Sequence, residues 1–254
     1  MRLTTGFLAL AAAVGVGAPA SATVYGVYGD SSNQSVTLIQ GRQGDTATIL
    51  NDLSAASLAK VNVLWVLNGN NSAEPAALAT YASSIAGFVS GGGTFAYHDQ
   101  DPAGAAAVVP GATGISFSQA ITRDINVILT GTLLTNGPGG VITNTTLDGG
   151  NVQAWGYAAL NTLPVGAVAP LSSTDASQAV AFSYKQGAGH VYYSSIPLNF
   201  FLSYPSDNVS KIYGANLVAY LDNGSVGPVA VPEPGSLMLL GAGLLGFGLM
   251  RRAV

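Results

Sequence analysis

The chain has 254 residues, a formal net charge of −4 and only 8% charged residues, with 33 glycines and no cysteine. The absence of cysteine excludes disulfides, thiolate chemistry and cysteine-based metal sites. The scarcity of lysine and arginine argues against nucleic acid or anionic lipid as a partner, and the composition indicates a compact domain with many tight turns.

The amino terminus has the pattern of a secretory signal peptide. Arg2 precedes an apolar, glycine- and alanine-rich stretch at 6–17, and Ala20 and Ala22 provide the small-x-small pattern that a signal peptidase needs. We therefore predict a signal peptide at 1–22, a mature chain that begins at Thr23, and one globular domain at 23–223.

The first half of this domain alternates between strand and helix patterns. Strands are predicted at 23–29 and 45–50, and a short helix capped by Asn51 or Asp52 at 53–60. The nearly continuous apolar segment 61–67 is typical of a strand that is buried on both faces of a parallel sheet. Pro75 can start a helix with an apolar stripe as far as Val89, and three glycines separate it from a strand at 94–97. These elements predict a right-handed βαβ unit.

The second half is richer in strand patterns. Short strands and turns are predicted at 116–169, a hairpin at 179–184 and 190–194, and a last helix after Pro205. The predicted fold is α/β, with a mostly parallel sheet flanked by helices and a β-rich insertion in the middle. The alternative is an all-β sandwich, which predicts no helix at 75–89.

The order of these elements resembles that of the class I glutamine amidotransferase-like, flavodoxin-like fold, and most closely its trehalose-utilisation-protein branch. The resemblance depends on a buried strand that ends in Asn68-Gly69, a helix that ends in Phe-Val-Ser-Gly-Gly-Gly, a strand that closes on His98-Asp99, and the later Gly-Ala-Gly-His-Val-Tyr-Tyr. Amidotransferases carry a nucleophilic cysteine at the place of 97–99, so thiol-based amide hydrolysis is excluded here. The trehalose-utilisation branch implies a histidine at this place, which His98 matches.

His98 follows a parallel strand, where open α/β sheets place their ligands. With Asp99 and Asp101 beside it, His98 is a candidate general base or a metal or sugar contact. The same residues also fit a hydrogen-bonded structural histidine with two turn aspartates, and both interpretations stay open. The histidine at position 190 is interpreted as structural. Asp30, Asn68 and Asn70 end the other candidate strands and could share a cleft with His98 or form turns. No cofactor or metal is predicted, because nucleotide-binding loops, zinc motifs and EF-hand spacing are absent.

The carboxyl-terminal segment has three parts in a fixed order: Val231-Pro232-Glu233-Pro234-Gly235, an apolar run at 237–250, and Arg251-Arg252. As a helix the apolar run spans about 21 Å at about 1.5 Å per residue, which is short for a hydrocarbon core of about 30 Å and suits a transient anchor. The arginine pair would keep the end of the chain cytoplasmic.

This three-part segment resembles the PEP-CTERM sorting signal of Gram-negative bacteria. The resemblance implies cleavage at Pro-Glu-Pro by a membrane-embedded exosortase and delivery to the envelope or an extracellular polysaccharide matrix. We therefore predict a linker at 224–230 and a sorting signal at 231–254 that includes a short membrane helix at 236–250. An ordinary tail anchor or a core helix is the alternative.

Two functional hypotheses follow. In the first, the chain is an exported surface or matrix protein with a non-catalytic binding or scaffold domain among exopolysaccharide chains. Its processing partners are signal peptidase and an exosortase. In the second, it is an extracytoplasmic hydrolase or sugar-modifying enzyme that uses His98 with Asp99. An open cleft at His98 with converging carboxylates would favour the enzyme.

Overall fold

The structure is a computed structural model that describes residues 22–42 and 44–223. The predicted signal peptide except its last residue, the linker 224–230 and the sorting signal with its helix at 236–250 lie outside these residues. Across the two described ranges, no helix combines the length and the apolar character needed to cross a bilayer.

The described residues form a mixed α/β fold with one ten-stranded sheet and a separate two-stranded ribbon. The strands are β1 (Val24–Gly29), β2 (Thr46–Ile49), β3 (Val63–Leu67), β4 (Thr94–His98), β5 (Phe117–Thr122), β6 (Asn126–Val127), β7 (Asn136–Gly137), β8 (Gly140–Val141), β9 (Ala154–Ala159), β10 (Val168–Ser172), β11 (Gln178–Gln186) and β12 (Gly189–Ser194). The helices are α1 (Ser32–Gln40), α2 (Ala55–Leu58), α3 (Ala76–Thr80), α4 (Ala82–Ser90), α5 (Leu198–Phe201) and α6 (Ala215–Asp222), and a π-helical segment, Val209–Gly214, leads into α6.

The large sheet is parallel in one half and antiparallel in the other. Its order is β2-β1-β3-β4-β12-β11-β10-β6, and the pairings from β2 to β12 are parallel. The hairpin of β11 and β12 turns the direction, and β11, β10, β6, β9 and β5 pair antiparallel. The prediction of a mostly parallel sheet therefore holds for the first half only. The hairpin was predicted, but its pairing with β4 was not.

The predicted βαβ unit is present. All five residues of β3 and of β4 are buried, because helices cover both faces of the parallel half, and the two strands pair in parallel. The helix between them is divided at Tyr81 into α3 and α4, and Leu78, Ile85 and Val89 of its predicted stripe are buried. Helices at this position contradict the all-β sandwich, which is wrong.

One helix was not predicted, and one local prediction needs correction. The segment 32–40 forms α1, in which Ser35 and Ile39 are buried and Val36 and Leu38 pack, partly buried, against the core. The N-cap of α2 is Ser54 and not Asn51 or Asp52. The carboxylate of Asp52 instead accepts hydrogen bonds from Ser54 N (2.9 Å) and Ser57 Oγ (2.8 Å) and so supports the cap.

The sheet separates two hydrophobic cores. The core on one face, which we call the Trp65 face, includes Trp65 and Tyr192 with residues of α1, α5 and α6. The core on the other face, which we call the Tyr97 face, includes Tyr97 and Tyr193 with residues of α2, α3 and α4. Because successive residues of a strand point to opposite faces, neighbours in sequence enter different cores.

Candidate functional site

The carboxyl ends of β1, β3, β4 and β12 meet at one edge of the sheet, as their parallel pairing requires. His98 is the last residue of β4, and the loops that follow β1, β3 and β4 contain Asp30, Asn68, Asn70, Asp99 and Asp101. Open α/β sheets bind ligands at this edge. A ligand-binding site is therefore expected at this edge.

His98 lies inside the protein and not in a cleft. Its side chain is fully buried on the Trp65 face, where its Nδ1 accepts a hydrogen bond from Trp65 Nε1 (3.0 Å). Nε2 must then carry the proton, and it donates to the Tyr213 hydroxyl (2.9 Å). Burial lowers the pKa of His98 to about 3, so the ring is neutral at ordinary pH.

The hydrogen bonds continue beyond His98. The Tyr213 hydroxyl also contacts the Tyr192 hydroxyl (2.7 Å) and Ser194 Oγ (3.0 Å), and all of these side chains are buried. Tyr213 belongs to the π-helical segment before α6. We call Trp65, His98, Tyr192, Ser194 and Tyr213 the buried histidine network.

Asp99 points to the opposite face. Its carboxylate accepts hydrogen bonds from Asn68 Nδ2 (3.1 Å), Asp101 N (2.8 Å) and the Tyr193 hydroxyl (3.0 Å). Burial raises the pKa of Asp99 to about 6, although these donors oppose the shift. The sheet separates the side chains of His98 and Asp99, so the geometry does not join them as a base and its partner.

A carboxylate cluster around Asp99 was not predicted from the sequence. Glu74 Oε2 accepts a hydrogen bond from the Tyr97 hydroxyl, and its buried Oε1 has no partner among the described residues. Burial, with Asp99 and Asp101 nearby, raises the pKa of Glu74 to about 8. Glu74 directly precedes Pro75, and an acidic residue is common at the start of a helix, so the sequence did not indicate that Glu74 belongs to this cluster. Within the described ranges, no group of three or more His, Asp or Glu side chains could hold a metal ion.

Asp30, Asn68 and Asn70 have structural roles. Asp30 Oδ2 accepts from Gly69 N (2.7 Å), Asn68 joins Asp99 to the carbonyl of Ala73, and Asn70 Oδ1 accepts from Ser72 N (3.0 Å). A Cβ on Gly69 would lie 2.6 Å from Asp30 Oδ2 and 2.7 Å from Asn199 Nδ2. Asp30, Gly69 and Asn199 are therefore in close contact at the ends of β1 and β3.

The other histidine is remote from this edge. His190 lies near the start of β12, opposite Thr94, whereas His98 is opposite Ser194 at the far end. Burial, followed by the charge of Lys185, lowers the pKa of His190. The two histidines do not form one site.

An open pocket lies beside the ends of β4 and β12. It has a volume of about 200 Å³. Its lining contains no charged side chain and comprises Gln100, Asn151, Val152, Trp155, Pro197 and Phe200. Trp155 is partly exposed, and Phe200 is 40% exposed. We call this the Trp155 pocket. The sequence did not reveal it, because Trp155 and Phe200 are 45 residues apart and belong to different elements.

The predicted processing residues Ala20, Val231, Pro232, Glu233, Pro234, Arg251 and Arg252 lie outside the described residues. Ala22 is described, and it is exposed just before β1. Its position leaves the predicted signal peptidase bond next to the first strand of the sheet.

Solved structures share this fold at low sequence identity. A Thermoplasma acidophilum protein that is described as part of a GMP synthase matches with a TM-score of 0.50 and 14% identity over 80% of this chain and 94% of that one. The Salmonella typhimurium cytoplasmic proteins STM1381 and STM3548 match with TM-scores of 0.52 and 0.50 and identities of 8% and 10%, over 78% of this chain and 98% of each of theirs. These likenesses show the fold alone, and they agree with the amidotransferase-like resemblance.

Sequence comparison identifies the carboxyl-terminal segment. No curated protein matches the chain. Residues 230–252 match the family model of the PEP-CTERM protein-sorting motif. The chain therefore carries a PEP-CTERM protein-sorting motif at residues 230–252, the signal of an exported protein that an exosortase sorts.

Proposed function

We propose that this chain is a protein of the Gram-negative cell envelope or extracellular matrix that is anchored transiently and cut at Pro232-Glu233-Pro234. Its domain at 23–223 binds exopolysaccharide and does not catalyse a reaction. The sorting motif supports the delivery. The single observation that supports the non-catalytic role is the burial of His98 with both ring nitrogens hydrogen-bonded.

A general base must come within hydrogen-bond reach of the proton that it removes. His98 has no exposed surface, its acceptor nitrogen is occupied by Trp65, and Asp99 lies on the other side of the sheet. The alternative of a hydrolase or sugar-modifying enzyme that uses His98 therefore lacks an accessible base. The geometry favours the binding hypothesis.

The Trp155 pocket is the binding site that we propose for the glycan. Its lining is uncharged, so it offers nothing to select an anionic ligand. A sugar ring has an apolar face of C–H groups that can pack on Trp155 or Phe200, and hydroxyls that both donate and accept. The side-chain amides of Gln100 and Asn151 match such hydroxyls, because an amide also donates and accepts. The volume of about 200 Å³ suits one ring of a polysaccharide better than a drug-sized ligand.

Binding is tested with the purified chain in detergent against neutral oligosaccharides, by calorimetry. We expect Trp155→Ala to weaken binding roughly tenfold, which corresponds to about 1.4 kcal/mol. Ile121→Ala is the matched control, because Ile121 is an exposed apolar side chain outside the pocket lining. His98→Ala should bind as the wild type does at a temperature at which it is folded. Undiminished binding by Trp155→Ala would contradict the pocket assignment.

Sorting is tested in cells. Replacement of Pro232, Glu233 and Pro234 by alanine should leave an uncut chain in the membrane fraction, whereas the wild-type chain appears in the envelope or medium in a shorter form. Asp124→Asn, an exposed change in the domain, serves as the control and should be processed normally. Normal trimming of the alanine variant would refute cleavage at this motif.

A further inference from the structure

Two carboxylates and one guanidinium meet at the edge of the sheet opposite the Trp155 pocket. The Nε of Arg42 lies 3.2 Å from Asp45 Oδ2 and 3.0 Å from Asp222 Oδ2. The side chains of Asp45 and Asp222 are only 9% and 12% exposed, and that of Arg42 is 33% exposed. The cluster therefore holds two largely buried negative charges and one positive charge.

The cluster has one more negative charge than positive charges, and no other described side chain near it is positively charged. Asp222 Oδ1 accepts from the neutral Tyr25 hydroxyl (2.5 Å), and within the described part of the chain Asp222 Oδ2 accepts no hydrogen bond, although Arg42 Nε lies close to it. Burial, and then the charge of Asp45, raise the pKa of Asp222, although the Tyr25 hydroxyl and Arg42 oppose the shift. The charged or titratable groups that face one another here are Tyr25, Arg42, Asp45 and Asp222.

The backbone nitrogen of Thr23 already lies at this cluster, 3.3 Å from Asp45 Oδ1. It is held there on both sides, because Thr46 N donates to the Thr23 carbonyl (3.0 Å) and Val24 N donates to Asn62 Oδ1 (2.9 Å). Thr23 is also the residue that follows the predicted signal peptidase site.

We propose that the cluster is a docking site for the processed amino terminus of this chain. Hydrolysis of the Ala22–Thr23 bond adds one water, leaves a carboxylate on Ala22 and turns the Thr23 amide nitrogen into an ammonium group. This ammonium supplies the second positive charge, and an ammonium–carboxylate ion pair with Asp45 replaces a hydrogen bond from an uncharged amide. Asp222 ends α6, the last described helix before the sorting signal, so one cluster joins both ends of the domain.

The proposal rests on the proposed function, because it assumes that the chain is exported and cleaved. The following measurement on purified chains does not depend on export. Two chains that both extend to Val254 are compared in detergent, one beginning at Thr23 and one retaining Ser21 and Ala22. At pH 7 we expect the chain that begins at Thr23 to melt about 2–4 °C higher, the shift that about 1 kcal/mol gives in a domain of this size. Equal melting temperatures would overturn the proposal.

A double-mutant cycle identifies the partner. In the Asp45→Asn background the two chains should melt together, whereas the matched control Asp124→Asn, an exposed carboxylate, should leave the difference unchanged. A difference that persists in Asp45→Asn, or disappears in Asp124→Asn, would count against docking on Asp45.

The pH dependence tests the proposal even where Asp45→Asn does not fold. A neighbouring carboxylate raises the pKa of the Thr23 ammonium in the folded state above its ordinary value of about 7.7–8.0. The stabilisation is then complete below the ordinary pKa and disappears as the pH rises through the raised one. A difference in melting temperature that is constant from pH 6 to pH 10 would refute an ammonium contact.

Amino-terminal sequencing of the exported protein tests the link to processing. Thr23 should be the first residue, and any other first residue would overturn the role in processing. Failure of glycan binding at the Trp155 pocket would leave all of these measurements unaffected, so the two proposals fail separately.

Discussion

Tyr213 is the centre of the buried histidine network, and Tyr213→Phe removes one hydroxyl from it with almost no change in volume. His98 Nε2 would lose its hydrogen-bond partner inside the protein, whereas the Tyr192 hydroxyl would keep Ser194 beside it as a second partner. An unsatisfied buried polar group costs about 1–3 kcal/mol, so the orphaned His98 nitrogen predicts a loss of about 1–3 kcal/mol in the free energy of unfolding. Ser194 Oγ still accepts from Ile196 N (3.2 Å) and adds little.

The loss is measured by urea unfolding of the full chain in detergent, with tryptophan fluorescence as the signal. A lower midpoint at an unchanged slope would assign the effect to stability. Tyr204→Phe is the matched control, because Tyr204 is 52% exposed and its change should stay within about 0.5 kcal/mol of the wild type. A Tyr213→Phe variant as stable as this control would refute the reasoning that the network excludes water and that His98 Nε2 depends on Tyr213.

Three further predictions concern groups that the structure buries. Burial lowers the pKa of His98 to about 3, so between about pH 6.5 and pH 3 the unfolded chain binds a proton that the folded chain does not. The free energy of unfolding should therefore fall by up to about 1.4 kcal/mol per pH unit as the pH drops below about 6.5. Urea unfolding should show this dependence in the wild type and not in His98→Gln. Burial and the charge of Asp99 raise the pKa of Glu74 to about 8, so the folded chain keeps a proton that the unfolded chain releases. The wild type should therefore lose stability as the pH rises from about 4.5 through 8, and Glu74→Gln should gain in melting temperature relative to it between pH 5 and pH 9. A difference in melting temperature that does not change with pH would contradict this. Asn216 bonds the carbonyls of Leu134 (3.0 Å) and Gly140 (2.8 Å) and the amide of Gly139 (2.8 Å), so Asn216→Leu should cost about 2–4 kcal/mol by urea unfolding, whereas Asn33→Leu on an exposed helix face should cost little.

Periodicity and turn residues were sufficient to predict the βαβ unit. β3 and β4 are short apolar runs bounded by polar or glycine residues, and the stripe of Leu78, Ile85 and Val89 has the spacing of a helix that packs on a sheet. These are local signals, because the environment of each residue follows from its own element. The same logic missed α1, because its segment 32–40 has only three apolar residues, Val36, Leu38 and Ile39, among polar ones.

The attachment of the antiparallel half of the sheet to the parallel half depends on a contact that no local sequence pattern encodes. The hairpin of β11 and β12 was visible in the sequence, but its addition beside β4 joins residues 94–98 to residues 190–194. That pairing fixes the sheet as mixed and brings the loop after β12 to the carboxyl edge. The Trp155 pocket exists only as a result of it.

Short stretches of sequence were enough to predict the sorting motif and the parallel βαβ unit, because a sorting motif and a periodic stripe are both local; the signal peptide at 1–22 stays a prediction. The three-dimensional arrangement was needed to find that His98 and Asp99 enter opposite cores, that Glu74 joins Asp99, and that the groups around Asp45 meet. The burial and charge of a side chain depend on what packs against it from distant parts of the chain, and no single segment carries that information.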